Sequence, residues 1–232
     1  MRILKYLVSL FTPVFLIALF ASLLTTYPYL ALHEGLHAEH DEVDFDYSYF
    51  NRNITAYMNY LSDDLEFGAY PGDEEPVMNE NEILHMQDVR TVYTGIRVLG
   101  LAGALIVAAS LTLMARKTPR LLYETLRDIY YVPLFFTLFV GAWMVVDFGS
   151  FFHYFHVLLF DLPFDDPAPW TCGPDDVMCR FVPGSFWFIS GLIVLALLAA
   201  SIVAIMWVNQ RYIKPRILAK EDTNGKIEET GP

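Results

Sequence analysis

Four long apolar runs set the limits on what this chain can become: Tyr6 to Leu24, Val92 to Met114, Tyr130 to Phe148 and Phe186 to Val208. An α-helix needs roughly 20 apolar residues to cross about 30 Å of hydrocarbon, and each run is close to that length. Within hydrocarbon the backbone must satisfy its own hydrogen bonds, so each run is predicted to be helical. With 55% of 232 residues hydrophobic and gathered into runs instead of amphipathic stripes, the predicted fold class is an all-α polytopic membrane protein with four transmembrane helices. The third run is the shortest and ends beside Asp147, so its limits are the least sharply marked.

Basic residues resist translocation, and their distribution predicts orientation. Arg2 and Lys5 precede the first run; Arg116, Lys117, Arg120 and Arg127 separate the second from the third; Arg211, Lys214, Arg216, Lys220 and Lys226 follow the fourth. The two other connections hold only Arg52, Arg90 and Arg180. The predicted plan is a first span in 1–32, an external cap loop in 33–91, the second and third spans in 92–148 with a cytoplasmic loop at 115–129, a second external cap loop in 149–185, a fourth span in 186–208 and a cytoplasmic tail in 209–232. Both termini are then cytoplasmic, and all six histidines are external. No small-x-small cleavage site follows the first run at Leu23-Leu24-Thr25-Thr26-Tyr27-Pro28, so it reads as a retained span and not a signal peptide.

The net charge of −12 lies mainly outside, with fifteen Asp and Glu residues between Glu34 and Asp88, which makes nucleic acid an unsuitable partner and the loop a solvated acidic surface. The two cysteines, Cys172 and Cys179, share the second external loop, and in an oxidising compartment a disulfide between them is the expectation.

Three constellations carry candidate chemistry. His33-Glu34-Gly35-Leu36-His37 has the H-E-x-x-H spacing of a zinc hydrolase, with His40 as a further ligand, but Gly35 weakens the helix such a site requires and no third ligand follows at the usual spacing. A solvated loop is the simpler reading, and no metal or cofactor is expected. In the second, Glu82 to Arg90 leads into an apolar run; on a helix Asp88 shares the face of His85 and would orient its imidazole. Further in, Arg97 requires a partner within the apolar region, and Asp147 is the expected one. The third is Phe148-Gly149-Ser150-Phe151-Phe152-His153-Tyr154-Phe155-His156-Val157-Leu158-Leu159-Phe160, where aromatic rings suit a bilayer interface and two histidines do not belong to an ordinary aromatic belt. Its Phe151, Phe152, Tyr154, Phe155 and Phe160, with Tyr93, are the candidate lining of a water-excluding slot for acyl chains. His153, three residues before His156, could share its face.

Glu82-Ile83-Leu84-His85-Met86-Gln87-Asp88-Val89-Arg90 resembles the His-Met-x-Asp-Val signature of the lipoprotein intramolecular transacylase family of bacterial membrane proteins. Phe155-His156-Val157-Leu158-Leu159-Phe160 is similar to its second signature, and Asp166-Pro167 and Val182-Pro183-Gly184-Ser185-Phe186 resemble the elements that follow. The resemblance implies a four-helix enzyme of the bacterial cell membrane whose catalytic histidines are His85 and His156. Its partners would be membrane lipids and a diacylglyceryl-modified lipoprotein, whose sn-2 acyl chain moves to the α-amino group of the N-terminal cysteine. An α-amino group has a pKa near 8, so a base must free its lone pair before it attacks an ester, and the departing glyceryl oxygen needs an acid. Two histidines supply both roles without a covalent nucleophile or cofactor. The alternatives are a membrane zinc hydrolase using His33, Glu34 and His37, a membrane protein that binds lipid or another ligand without changing it, and a bis-histidine haem protein.

Overall fold

A computed structural model of the chain describes residues 2–34, 44–160, 173, 176–217 and 219. Its elements, in order, are α1 (Arg2–Leu23), α2 (Tyr27–Glu34), α3 (Tyr47–Met58), α4 (Glu80–Lys117), α5 (Pro119–Arg127), α6 (Tyr131–Val146), α7 (Phe148–Phe160), α8 (Val177–Phe181), α9 (Gly184–Val208) and a π-helical turn at Asn209–Ile213. The protein is all-helical among the described residues and is a multi-pass membrane protein. Among the described residues four stretches are long and apolar enough to cross a bilayer: Arg2–Leu23, Glu80–Lys117, Pro119–Val146 and Gly184–Ile217. Val98, Leu101, Leu105, Phe135, Leu138 and Val203 are 62–72% exposed, a surface that water would penalise and lipid accepts.

The structure moves several expected boundaries. The 38 residues of α4 rise about 57 Å at 1.5 Å each, nearly twice the hydrocarbon thickness, so its polar start at Glu80–Thr91 extends the helix beyond the apolar run instead of forming loop. The third run is cut short: α6 covers Tyr131–Val146 and stops before Asp147, and α5 precedes the run, ending at Arg127. The stretch after Phe148, expected to be loop from Gly149, is the helix α7. Asp147 starts it, accepting from Ser150 N at 3.0 Å and Ser150 Oγ at 2.6 Å, the local bonding that favours Asp at a helix entry.

The chain divides into two compact units. The first comprises residues 1–18, 99–141 and 195–232. In it Lys5 Nζ donates to Asp128 Oδ2 at 2.8 Å, and Arg127 Nε meets the other carboxylate oxygen at 2.7 Å. Asn209, fully buried, donates to Tyr123 O at 3.0 Å where α9 gives way to the π-helical turn.

The second unit comprises residues 19–98 and 142–194. The amphipathic α3 buries Tyr47, Phe50, Ile54, Tyr57 and Met58, and Asp46 caps its start by accepting from Tyr49 N at 2.9 Å. Phe50 is wholly buried, with Phe45, Phe67 and Phe181 at ring distances of 5.1, 5.2 and 4.7 Å. Met86, Val177 and Phe186 join the same core, so the starts of α4, α8 and α9 are held by one apolar cluster. Arg90 lies against the rings of Tyr57 and Tyr60, at 4.3 and 3.7 Å, and pairs with Asp63 at 2.8 Å.

The expected Arg97–Asp147 pair does not form. The Arg97 guanidinium donates to Met58 O at 2.9 Å, Thr25 Oγ1 at 2.8 Å and Asn59 Oδ1 at 3.1 Å, while Asp147 is engaged by Ser150. Neutral oxygens at the end of α3 and after α1 satisfy the donors that an ion pair was expected to satisfy, because five fixed N–H groups need acceptors more than they need one opposite charge.

Candidate active site

The start of α4 fixes the first histidine. Asn79 Oδ1 accepts from Glu82 N at 3.0 Å while Glu82 Oε2 accepts from Asn79 N at 2.9 Å, a reciprocal box that satisfies two otherwise orphaned donors. Glu82 is 7% exposed, and its second oxygen accepts from Met178 N at 2.8 Å, tying α8 to α4 across 96 residues. Asn79 Nδ2 adds a bond to Asp176 Oδ1 at 3.0 Å. One turn after Glu82 stands His85.

The second histidine comes from α7. His156 Nδ1 is 2.8 Å from Phe152 O, and since a carbonyl can only accept, Nδ1 carries the proton and Nε2 keeps its lone pair. The rings of His85 and His156 stack at 6.2 Å and 27°, and Phe160 packs against both, at 5.1 and 5.5 Å. Burial holds the pKa of His156 below the ordinary 6.5, against the raising effect of its bond to Phe152, and the nearby His153 adds to the lowering.

Both histidines line one cavity of about 210 Å³. Asn79, Asn81, Glu82 and Asp176 contribute its polar lining; Leu24, Leu30, Ile54, Met58, Met86 and Val89 contribute apolar walls, with Phe152, Tyr93, Phe186 and Trp187 as aromatic ones. A small apolar chamber with two imidazoles is suited to moving a proton between groups of a lipid-like substrate while limiting water.

Of the expected lining residues, Tyr93 and Phe152 stand in the wall, and Phe160 packs on the histidines. Phe151, Tyr154 and Phe155 do not line it: Phe151 stacks on Phe155, Trp143 meets Phe151 and Tyr154, and Tyr154 and Phe155 are exposed. A helical α7 turns these residues to a face other than that of Phe152 and His156, which are four apart. His153 is likewise outside the lining and sits edge-on to Tyr154. Asp88 is exposed and makes no hydrogen bond to His85, so it does not orient that ring; the spacing allowed a shared face, but Asp88 remains in solvent. Glu82, the buried carboxylate on the other side of His85, was missed, although N-x-x-E ahead of an apolar run is the sequence sign of a helix start.

His33 is buried and edge-on to Phe186 at 4.6 Å, and Glu34 ends α2. His37 and His40 lie outside the described residues, as do Cys172 and therefore its pairing with Cys179, and Asp166-Pro167. Among the described residues no three His, Cys, Asp or Glu side chains stand together as a metal site.

Fold and cavity define a helical integral membrane protein with a paired-histidine chamber. Residues 2–187 match the model of the family described as lipoprotein intramolecular transacylase Lit, and the chain belongs to that family. It is therefore an acyltransferase that acts on lipoproteins. Its fold is similar to the in meso structure of the membrane-integral lipoprotein intramolecular transacylase Lit from Bacillus cereus, with a TM-score of 0.69 and 19% identity over 94% of this chain and 97% of that one. No curated protein matches the chain.

Proposed function

We propose that this protein moves the sn-2 acyl chain of a diacylglyceryl-modified lipoprotein to the α-amino group of its N-terminal cysteine, with His85 and His156 as the proton carriers. The observation that carries the reading is the stacking of two histidines from separate helices in one apolar cavity of a chain in this family. The α-ammonium first gives a proton to His85. The freed nitrogen attacks the sn-2 ester carbonyl, and the tetrahedral adduct loses its N–H proton to His156 Nε2. Protonated His85 donates to the glyceryl oxygen as the C–O bond breaks, leaving an amide, a free glyceryl hydroxyl and a proton on His156 that returns to solvent. Donor and acceptor belong to one molecule, so proximity supplies much of the rate gain.

The product is isobaric with its precursor. Lipoprotein N-terminal peptides from cells making the protein should keep their mass, and fragmentation should place one chain on nitrogen and one ester on glycerol. Loss of a chain would mean hydrolysis, and gain of one would mean transfer from a second lipid; either defeats the intramolecular reading.

We also place both termini in the cytoplasm and the histidine chamber at the external face of the cell membrane, supported by the concentration of basic residues on one side of the spans. A cysteine introduced at Asp73 should react with an impermeant thiol reagent in intact cells, and one at Thr118 only after permeabilisation. The reverse pattern would invert the orientation.

A further inference from the structure

Three side-chain hydroxyls line the cavity, and two of them already donate within the protein: Thr25 Oγ1 to Ser22 O at 3.0 Å and Thr55 Oγ1 to Asn51 Oδ1 at 3.1 Å. The third, on Tyr93, has no hydrogen bond to any described residue. The cavity it lines is largely apolar, with Val89, Met58 and Ile54 among the other lining residues, a setting in which a hydroxyl gains from a partner. His85, Val89 and Tyr93 succeed one another at four-residue steps on α4 and all line the cavity. Eight residues of helix rise about 12 Å, so Tyr93 stands too far along α4 to share a reacting atom with His85. The carbonyl carbons of the two glyceryl esters are five bonds apart, shorter than that rise, and the Tyr93 and His85 side chains supply the remainder of the reach. Arg97, a turn beyond Tyr93 and anchored on Met58 O, Thr25 and Asn59, is a fixed positive charge near enough to Tyr93 to act on its hydroxyl.

We propose that the Tyr93 hydroxyl donates a hydrogen bond to the carbonyl oxygen of the sn-1 ester, the one the reaction leaves in place, and so selects which chain reaches the histidines. This rests on the transacylase reading and adds a determinant of its regiochemistry. The spacing works as a ruler: with the sn-1 carbonyl held at Tyr93, the sn-2 carbonyl falls beside His85 and His156.

The test uses purified protein and two synthetic lipopeptides, one with both chains ester-linked and one with an ether in place of the sn-1 ester, which removes only the carbonyl. Wild-type kcat/KM should favour the diester by about tenfold, the worth of one hydrogen bond in an apolar site. Tyr93→Phe should turn over the ether substrate as wild type does and lose the preference for the diester, mainly through a raised KM. Equal preference in wild type and Tyr93→Phe, or no preference in wild type, overturns the proposal. If Tyr93→Phe does not accumulate as folded protein, the wild-type ratio alone decides. Absence of any amide-linked product from either substrate with wild type sinks the transacylase reading and this proposal with it, an outcome distinct from turnover without discrimination.

Discussion

His156→Ala should lower turnover by about 10² to 10⁴-fold, the usual loss when a positioned proton carrier is removed, and His85→Ala should do the same. Neither change should unfold the protein, because the apolar cluster around Phe50 that organises the second unit contains neither ring. The two effects should not add: once one carrier is gone the relay is broken, and the double variant should resemble the singles. The pH profile carries a matching signature. Burial lowers the pKa of His156 below 6.5, so the neutral base persists into mild acid, and activity should fall only as pH drops through a value below 6.5. Single-turnover assays with purified variants measure both. Retained activity in His156→Ala, or an acid limb centred well above 6.5, would remove His156 from the role proposed for it.

Glu82→Ala should be the most damaging change in the wall that does not touch a histidine. Its carboxylate accepts from Asn79 N and Met178 N, and truncation leaves two buried donors unmet, each worth about 1–3 kcal/mol. We expect a loss of about 3 kcal/mol or more in unfolding free energy in detergent. Activity should fall as well, because the first turn of α4 that presents His85 loses its box. Glu82→Gln keeps one acceptor oxygen and sets an amide NH₂ against the other donor, so it should recover only part of the stability. A Glu82→Ala protein as stable as wild type would show that the box and the α8 tie contribute little.

What was legible in the sequence was what local physics dictates. Residues in a long apolar run have one way to satisfy their backbone in lipid, so four spans followed from the run lengths, and the motif around His85 and the one around His156 pointed to the family. The aromatic stretch after Asp147 was recognised for its content but not for its shape. As a loop it offered every ring to the slot; as α7 it presents Phe152 and His156 to the cavity and turns Phe151, Tyr154 and Phe155 elsewhere.

Pairings between distant segments were decided only by the tertiary structure. Spacing put Asp88 near His85 and charge put Asp147 opposite Arg97, and neither pair exists, because each group is served by whatever the fold brings to it: solvent for Asp88, Ser150 for Asp147, and Thr25, Met58 and Asn59 for Arg97. The buried bond from Met178 N to Glu82 joins residues 96 apart in sequence, and no pattern in either segment announces it. The sequence by itself determined a four-span helical membrane protein and both histidines, since hydrophobic length and motif are properties of contiguous residues. The tertiary structure alone decided that those histidines stack and that Tyr93 lines their cavity with its hydroxyl bonded to no described residue, because a contact is the property of a folded chain.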